Sequence, residues 1–218
     1  MQPDDRGFAH EGSVLLSQIH LELELTEQPD LNHLSHRIPR IALFSMHGCP
    51  VSKLGGKDTG GMNVYVRQLA AALGSMGMKI DIFTREHSHV VNRIETIGSN
   101  VRVIHLKSGE PNTHIEGLYP ELPEFLAQLK AFQEEEAIKY DVVHSHYWLS
   151  GQIGRGLSQA LNVPHVMTFH TLGLIKMQSR AGEVEQSERP FFESEVISTS
   201  DRIIAFSPHE RDSMARLE

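Results

Sequence analysis

From Arg40 onward the chain alternates short, nearly continuous apolar runs with longer segments whose apolar residues return every three or four positions. The run Arg40–His47, "RIALFSMH", has the character of a strand buried on both faces. After it, Met62, Tyr65, Val66, Leu69, Ala70, Leu73 and Met76 form the buried stripe of a helix, which Gly77 is placed to end. Further strands are predicted at Lys79–Arg85, Val101–Leu106, Asp141–His146, His165–His170 and Arg202–Phe206. Helices are predicted at about Leu122–Ala137, Gly151–Ala160 and Pro190–Thr199. Ser207-Pro208-His209-Glu210 reads as a capping box with proline at the first helical position, opening a last helix.

Six strands alternating with helices predict an α/β fold: a Rossmann-like parallel sheet with helices on both faces. Residues 1–37 lack this order and read as a partly flexible N-terminal extension, with the domain proper at 38–218. Ser13–Leu25 fits either a frayed helix or an edge strand.

Composition narrows the class. A hydrophobic fraction of 39% over 218 residues supports one sizeable core, not two. The formal net charge of -8 argues against a nucleic-acid surface. Cys49 is the single cysteine, so no internal disulfide is available and a reducing, cytoplasmic setting is expected. No apolar run reaches the ~20 residues of a membrane span. The N-terminus is acidic, unlike a signal peptide.

Parallel sheets of this kind bind ligands beyond the carboxyl ends of their strands. Four segments lie there or at a helix start. The first is the loop from Gly48 to Gly61, longer than the ~2–6 residues of a plain βα connection. It ends in Gly60-Gly61 at a helix start, where free N–H groups suit a pyrophosphate or where glycine merely turns the chain. The second is "DVVHSHYWLSG": His144 and His146 share a strand face but lack a cysteine or carboxylate at metal-ligand spacing. Tyr147 and Trp148 offer flat faces for a sugar, and Gly151 lets the next helix come close. The third is "VMTFHTLG", whose His170 leaves the sheet at its carboxyl edge, with the Thr171 hydroxyl beside it. His170 is expected to switch readily between a neutral and a charged ring. The fourth is "SERPFFESE": an arginine at a helix start opposes the dipole, so Arg189 is either solvated or holding an anion or carboxylate. His87, His89, His105 and His114 read as ordinary surface residues.

The segments "GGMNVYVRQLA", "DVVHSHYWLSGQIG", "TFHTLG" and "SDRIIAFSPHE", in this order, resemble the N-terminal half of a GT-B fold, that of the retaining family 4-like glycosyltransferases. The likeness covers roughly residues 40–216 and is greatest to the branch holding the mycothiol-pathway N-acetylglucosaminyltransferase and the sucrose-phosphate synthases. The resemblance implies a hexosyl transfer from a UDP- or GDP-linked sugar to a sugar phosphate, polyol or similar acceptor, without a cofactor or a bound metal. By it, Gly60 and Gly61 would meet the donor diphosphate. Asn63, Tyr147, Thr171 and Arg189 would bind the acceptor, and His170 would act catalytically at the transferred sugar. It further implies that the C-terminal nucleotide-sugar domain is absent from this chain, as in a truncated form or one partnered by a separate C-terminal domain chain. A lone chain of this kind is expected to be inactive. Phospho-inositol enzymes carry a lysine where this chain has "GLYPELP", and Tyr119 and Pro120 supply no ammonium, which counts against an inositol phosphate acceptor. Two other classes compete: a non-catalytic module binding a sugar phosphate or a partner, and a generic dinucleotide domain. The latter is disfavoured by the lack of G-x-G-x-x-G and of an acidic residue closing Lys79–Arg85.

Overall fold

A computed structural model describes residues 37–52, 60–88, 92–179 and 189–217. The readings for residues 1–36, and for His89, lie outside the described residues.

The strands are β1 (Arg40–Phe44), β2 (Lys79–Arg85), β3 (Ile94–Gly98), β4 (Val101–Leu106), β5 (Val142–His146), β6 (His165–Thr168) and β7 (Arg202–Ile203). The helices are α1 (Gly61–Ser75), α2 (Leu122–Glu136), α3 (Trp148–Leu161), α4 (Gly173–Ser179), α5 (Arg189–Thr199) and α6 (Pro208–Met214). The sheet order is β3-β4-β2-β1-β5-β6-β7, and every neighbouring pair is parallel except β3–β4. The expectation of an α/β sheet with helices on both faces holds, with one addition: an antiparallel edge strand, β3.

Consecutive apolar residues in the strands feed two cores. Ala42 and Phe44 of β1 join Phe83, Phe125, Phe132, Leu149 and Ile153 on the face covered by α2 and α3. Ile41 and Leu43 point the other way and meet Val66 and Ala70 of α1. A third cluster, with Met167, Phe169, Val196 and Met214, seats α5 and α6 against β6. The helix ends follow the sequence signals. Met76 caps α1 and Gly77 follows at φ 94°. Ser207 Oγ accepts a hydrogen bond from the Glu210 backbone N–H at 3.1 Å, while Glu210 reaches back to the Phe206 N–H at 2.7 Å.

Chain direction places the site. From β1 the chain runs through α1 to β2 on one side; it later returns through α2 to β5 on the other side of β1. The crevice of such a sheet opens at this reversal, between the carboxyl ends of β1 and β5. Close packing of α3 on the sheet keeps that edge rigid. A Cβ at Gly151 would stand 3.1 Å from Val196 of α5. At Gly154 it would collide with Ser145 Oγ and come within 2.7 Å of His165 Nε2. Gly154→Ala is therefore expected to lower the unfolding free energy by about 1–3 kcal/mol, the usual range for an overpacked core. Urea denaturation checks this, with Gly156→Ala, where nothing stands within 4 Å of an added Cβ, as the mild control.

Candidate active site at the carboxyl edge of the sheet

Two residues at neighbouring strand ends hold a backbone conformation uncommon outside glycine. Tyr147, directly after β5, has φ 73°, and His170, two residues after β6, has φ 64°. Such strain costs on the order of 1–3 kcal/mol per residue and persists only where surrounding structure enforces it. Here the enforcing contacts are visible. The Tyr147 backbone N–H donates to Thr168 O at 3.0 Å, tying the two strand ends together. The His170 ring packs against Tyr65 of α1 and against Phe206, with centroids 5.3 Å away in both cases.

His146 Nδ1 and His170 Nε2 lie 3.0 Å apart. His146 is fully buried, and its Nε2 has no hydrogen-bond partner among the described residues. A buried N–H without an acceptor is the rarer and costlier arrangement, so the His146 proton sits on Nδ1 and is donated to His170. The neutral His170 ring then carries its own proton on Nδ1, as a donor on its other side. His144 donates or accepts at Thr168 Oγ1, 3.0 Å away, and its ring lies 4.4 Å from that of His146. Neither His144 nor His146 lines the cleft; both are buried.

Burial pushes His47 down to about 3 and His144, His165 and His170 down to about 4, and it holds His146 well below the ordinary range. The expected ready switching of His170 is thus corrected: it stays neutral near pH 7, because loss of solvent disfavours its cation. The linkage has a definite sign. Between the unfolded value of about 6.5 and the folded values, the unfolded chain binds more protons, so acid destabilises the fold. Stability is expected to fall as pH drops from about 6.5 towards 4, by up to about 1.4 kcal/mol per pH unit for each such histidine. Denaturation midpoints across that range, flat or rising on acidification, would contradict it.

Arg189, at the start of α5, is neither solvated nor facing an open cleft. It is fully buried. Its Nε donates to Glu193 Oε1 at 2.7 Å, Nη1 to the Tyr147 hydroxyl at 3.0 Å, and Nη2 to Thr171 O at 2.7 Å and Oγ1 at 3.2 Å. Its guanidinium also stacks 4.7 Å from the Tyr147 ring centroid. The carboxylate that explains an arginine at a helix start is therefore Glu193, which also accepts from the Gly173 N–H at 2.9 and 3.1 Å. Gly173 is glycine because an added Cβ would press on the Arg189 side chain at 3.2 Å.

The remaining predicted residues divide into rim and frame. Thr171 is exposed, and together with His170 it lines a cavity of about 400 Å3 that includes Lys176, Ser207 and His209. Gly60 and Gly61 are exposed at the α1 start, and an added Cβ at either would meet nothing within 4 Å. Asn63 is buried; its Nδ2 donates to Cys49 O at 2.9 Å and its Oδ1 faces the Gly60 N–H at 3.5 Å. Trp148 is buried in a stack with Phe192 and Tyr119, so it is core and not a platform for a sugar.

Sequence reasoning passed over several residues of this edge. His47 follows β1 and its ring lies 4.5 Å from that of Tyr147, at the reversal of chain direction. Arg85 closes β2 and donates to Glu110 O and Thr113 O, shaping the next loop. Applying the strand-end rule to every strand would have found both. His105 is buried inside β4, against the surface reading, and His87 is half-buried, whereas His114 is exposed as expected.

Known proteins match this geometry. A family model described as Glycosyl transferase 4-like domain matches residues 60–218. The D-inositol 3-phosphate glycosyltransferase of Corynebacterium kroppenstedtii is 35% identical over 178 residues, covering 80% of this chain and 40% of that protein. The enzyme of the same name from Actinosynnema mirum is 38% identical over 182 residues, covering 82% and 44%. Sucrose-phosphate synthase from Thermosynechococcus elongatus superposes with a TM-score of 0.75 at 35% identity, over 82% of this chain and 45% of that one. The chain thus spans about two-fifths of the length of these curated relatives. Among the described residues, no helix is long and apolar enough to cross a membrane.

Proposed function

We propose, from the premise that this chain belongs to the glycosyl transferase 4-like family, that it forms the acceptor-side half of a retaining glycosyltransferase moving a hexosyl group from a UDP- or GDP-linked sugar to a sugar phosphate or polyol. The observation that carries the reading is the convergence of two strained residues, Tyr147 and His170, on one crevice beside an open helix start. Names of the relatives support the substrate class: one set acts on an inositol phosphate, and the other makes a sucrose phosphate.

In this reading the donor diphosphate lies against Gly60 and Gly61 at the start of α1, where an added Cβ would meet nothing within 4 Å and the dipole of the helix start favours an anion. As the bond between the anomeric carbon and the phosphate oxygen breaks, negative charge grows on that oxygen and is met by this helix start. The acceptor hydroxyl attacks the anomeric carbon from the same face, and its proton passes to the departing phosphate oxygen. The Nδ1–H of His170 contacts the transferred sugar. Tyr147 and Thr171 form the acceptor rim, while Arg189 and Asn63 act from behind: Arg189 fixes the Tyr147 hydroxyl and Thr171, and Asn63 fixes the loop before α1. No step uses a metal or a cofactor. A second domain, on a longer polypeptide or a partner chain, closes the other wall and holds the nucleotide, and the enzyme works in the cytoplasm.

The test is to join this domain to a nucleotide-sugar-binding domain of a relative and supply nucleotide sugars with sugar-phosphate and polyol acceptors. Product with retained anomeric configuration is expected, and the 218 residues alone are expected to turn over poorly, since a wet half-cleft weakens electrostatic stabilisation. Tight acceptor binding without turnover in the joined protein would favour a non-catalytic binding module instead.

A further inference from the structure

We propose that Cys49, His87 and His105 form a binding site for a borderline-soft divalent transition metal, Zn2+ foremost. Each of the three offers a ligand atom, and these atoms lie within 4.8 Å of one another. Cys49 Sγ stands 3.4 Å from His105 Nε2. That is close to the edge of a tetrahedron, about 3.5 Å, built on Zn–S of about 2.3 Å and Zn–N of about 2.0–2.1 Å.

The surroundings suit a metal. His105 Nδ1 lies 3.2 Å from Asn92 O, so the ring N–H donates to that carbonyl and the Nε2 lone pair points at the sulfur. This is the outer-shell arrangement that fixes the tautomer of a metal-bound histidine. Ser52 Oγ, 3.3 Å from His87 Nε2, is a second outer-shell group. Cys49 and His105 are buried, while Cys49 and His87 also line a cavity of about 260 Å3, which gives an entry path. Binding the ion replaces the thiol proton, which leaves to solvent. One thiolate with two imidazoles is a donor set for Zn2+ and not for Mg2+ or Ca2+.

The three ligands come from separate segments: the loop after β1, the segment after β2, and β4 itself. An ion there would pin the loop that Asn63 ties to the first turn of α1. The site borders a cavity that His170 does not line, and its ligand geometry is argued without the sugar-transfer reading.

Co2+ titration of the untagged, reduced chain tests the proposal. Because Cys49 is the single cysteine, any thiolate-to-cobalt charge-transfer band reports that residue alone. One equivalent of Co2+ giving such a band, displaced by Zn2+, with a rise in melting temperature on adding Zn2+, is the expected result. Cys49→Ser should abolish the band. His87→Ala, at a half-buried position that leaves the core intact, should weaken Zn2+ binding on the order of 10²-fold or more, beyond what loss of an outer-shell partner costs. Folding of each variant is verified by circular dichroism. Absence of the charge-transfer band at saturating Co2+, or Zn2+ binding unchanged in His87→Ala, overturns the site.

Discussion

Arg189→Ala is expected to lower the unfolding free energy of this domain by about 3–5 kcal/mol, the cost of leaving one member of a buried ion pair without its partner. Arg189 and Glu193 are both wholly shielded from solvent. Removing the guanidinium takes from the buried Glu193 carboxylate its charged partner, while the Gly173 N–H stays bonded to it. It also deprives the Tyr147 hydroxyl and Thr171 O of their donor. Arg189→Lys should recover little, because one ammonium cannot reproduce four hydrogen bonds in a planar fork and the stacking on Tyr147. Urea denaturation gives the number, and Arg211→Ala provides the contrast: its pair with Asp212 is exposed and should matter by less than about 1 kcal/mol. A loss at Arg189 no larger than that at Arg211 would show that the pair does not hold the crevice. The same substitution should weaken acceptor binding in the joined enzyme, since two rim residues lose their common anchor.

How much of this was legible beforehand depends on where each element takes its stabilisation. β1, β2, β4 and β5 are buried on both faces, so their apolar runs identify them without reference to the rest of the fold. β3 escaped because it is an edge strand: in "IETIG" only Ile94 and Ile97 are apolar, and no residue is fully buried. Its partner β4 defines it, and such pairing leaves no local periodicity. The helix limits at Gly77 and Ser207 were readable because capping is a contact between near neighbours in sequence. The strand-end rule placed His170 at the carboxyl edge of the sheet, where it lies, whereas the depths of His146, Trp148 and Arg189 were not readable. Burial of a histidine or arginine is set by partners 24 or 42 residues away, as in His146–His170 and Arg189–Tyr147, and nothing in "HSH" or "SERP" encodes those distances. The cluster of Cys49, His87 and His105 was hidden for the same reason: its members are brought together by strand order and not by spacing.

His170→Ala, in a complete enzyme built on this domain, is expected to lower kcat on the order of 10²–10³, the range for losing one donor aimed at the transition state. The structure sharpens which atom matters. With Nε2 occupied by the His146 proton, only Nδ1–H is left to face the sugar. His170→Asn, which keeps an N–H donor near that point, should therefore recover part of the loss. His146→Ala should act less on kcat and more on stability, since His146 is fully buried and works only by holding the His170 ring. His144→Ala should affect folding alone, its partner being Thr168 within the sheet. The pH profile supplies a readout that a purely structural role would not move. Because burial keeps His170 neutral down to about pH 4, the rate should show no limb near 6.5 from this residue. A His146→Gln variant restores a donor to Nε2 and should preserve that flat profile, whereas His146→Ala removes the donor, lets the ring take a proton more readily, and should bring an acidic limb upward. Turnover unchanged in His170→Ala but abolished in His146→Ala would move the chemistry from the end of β6 to that of β5.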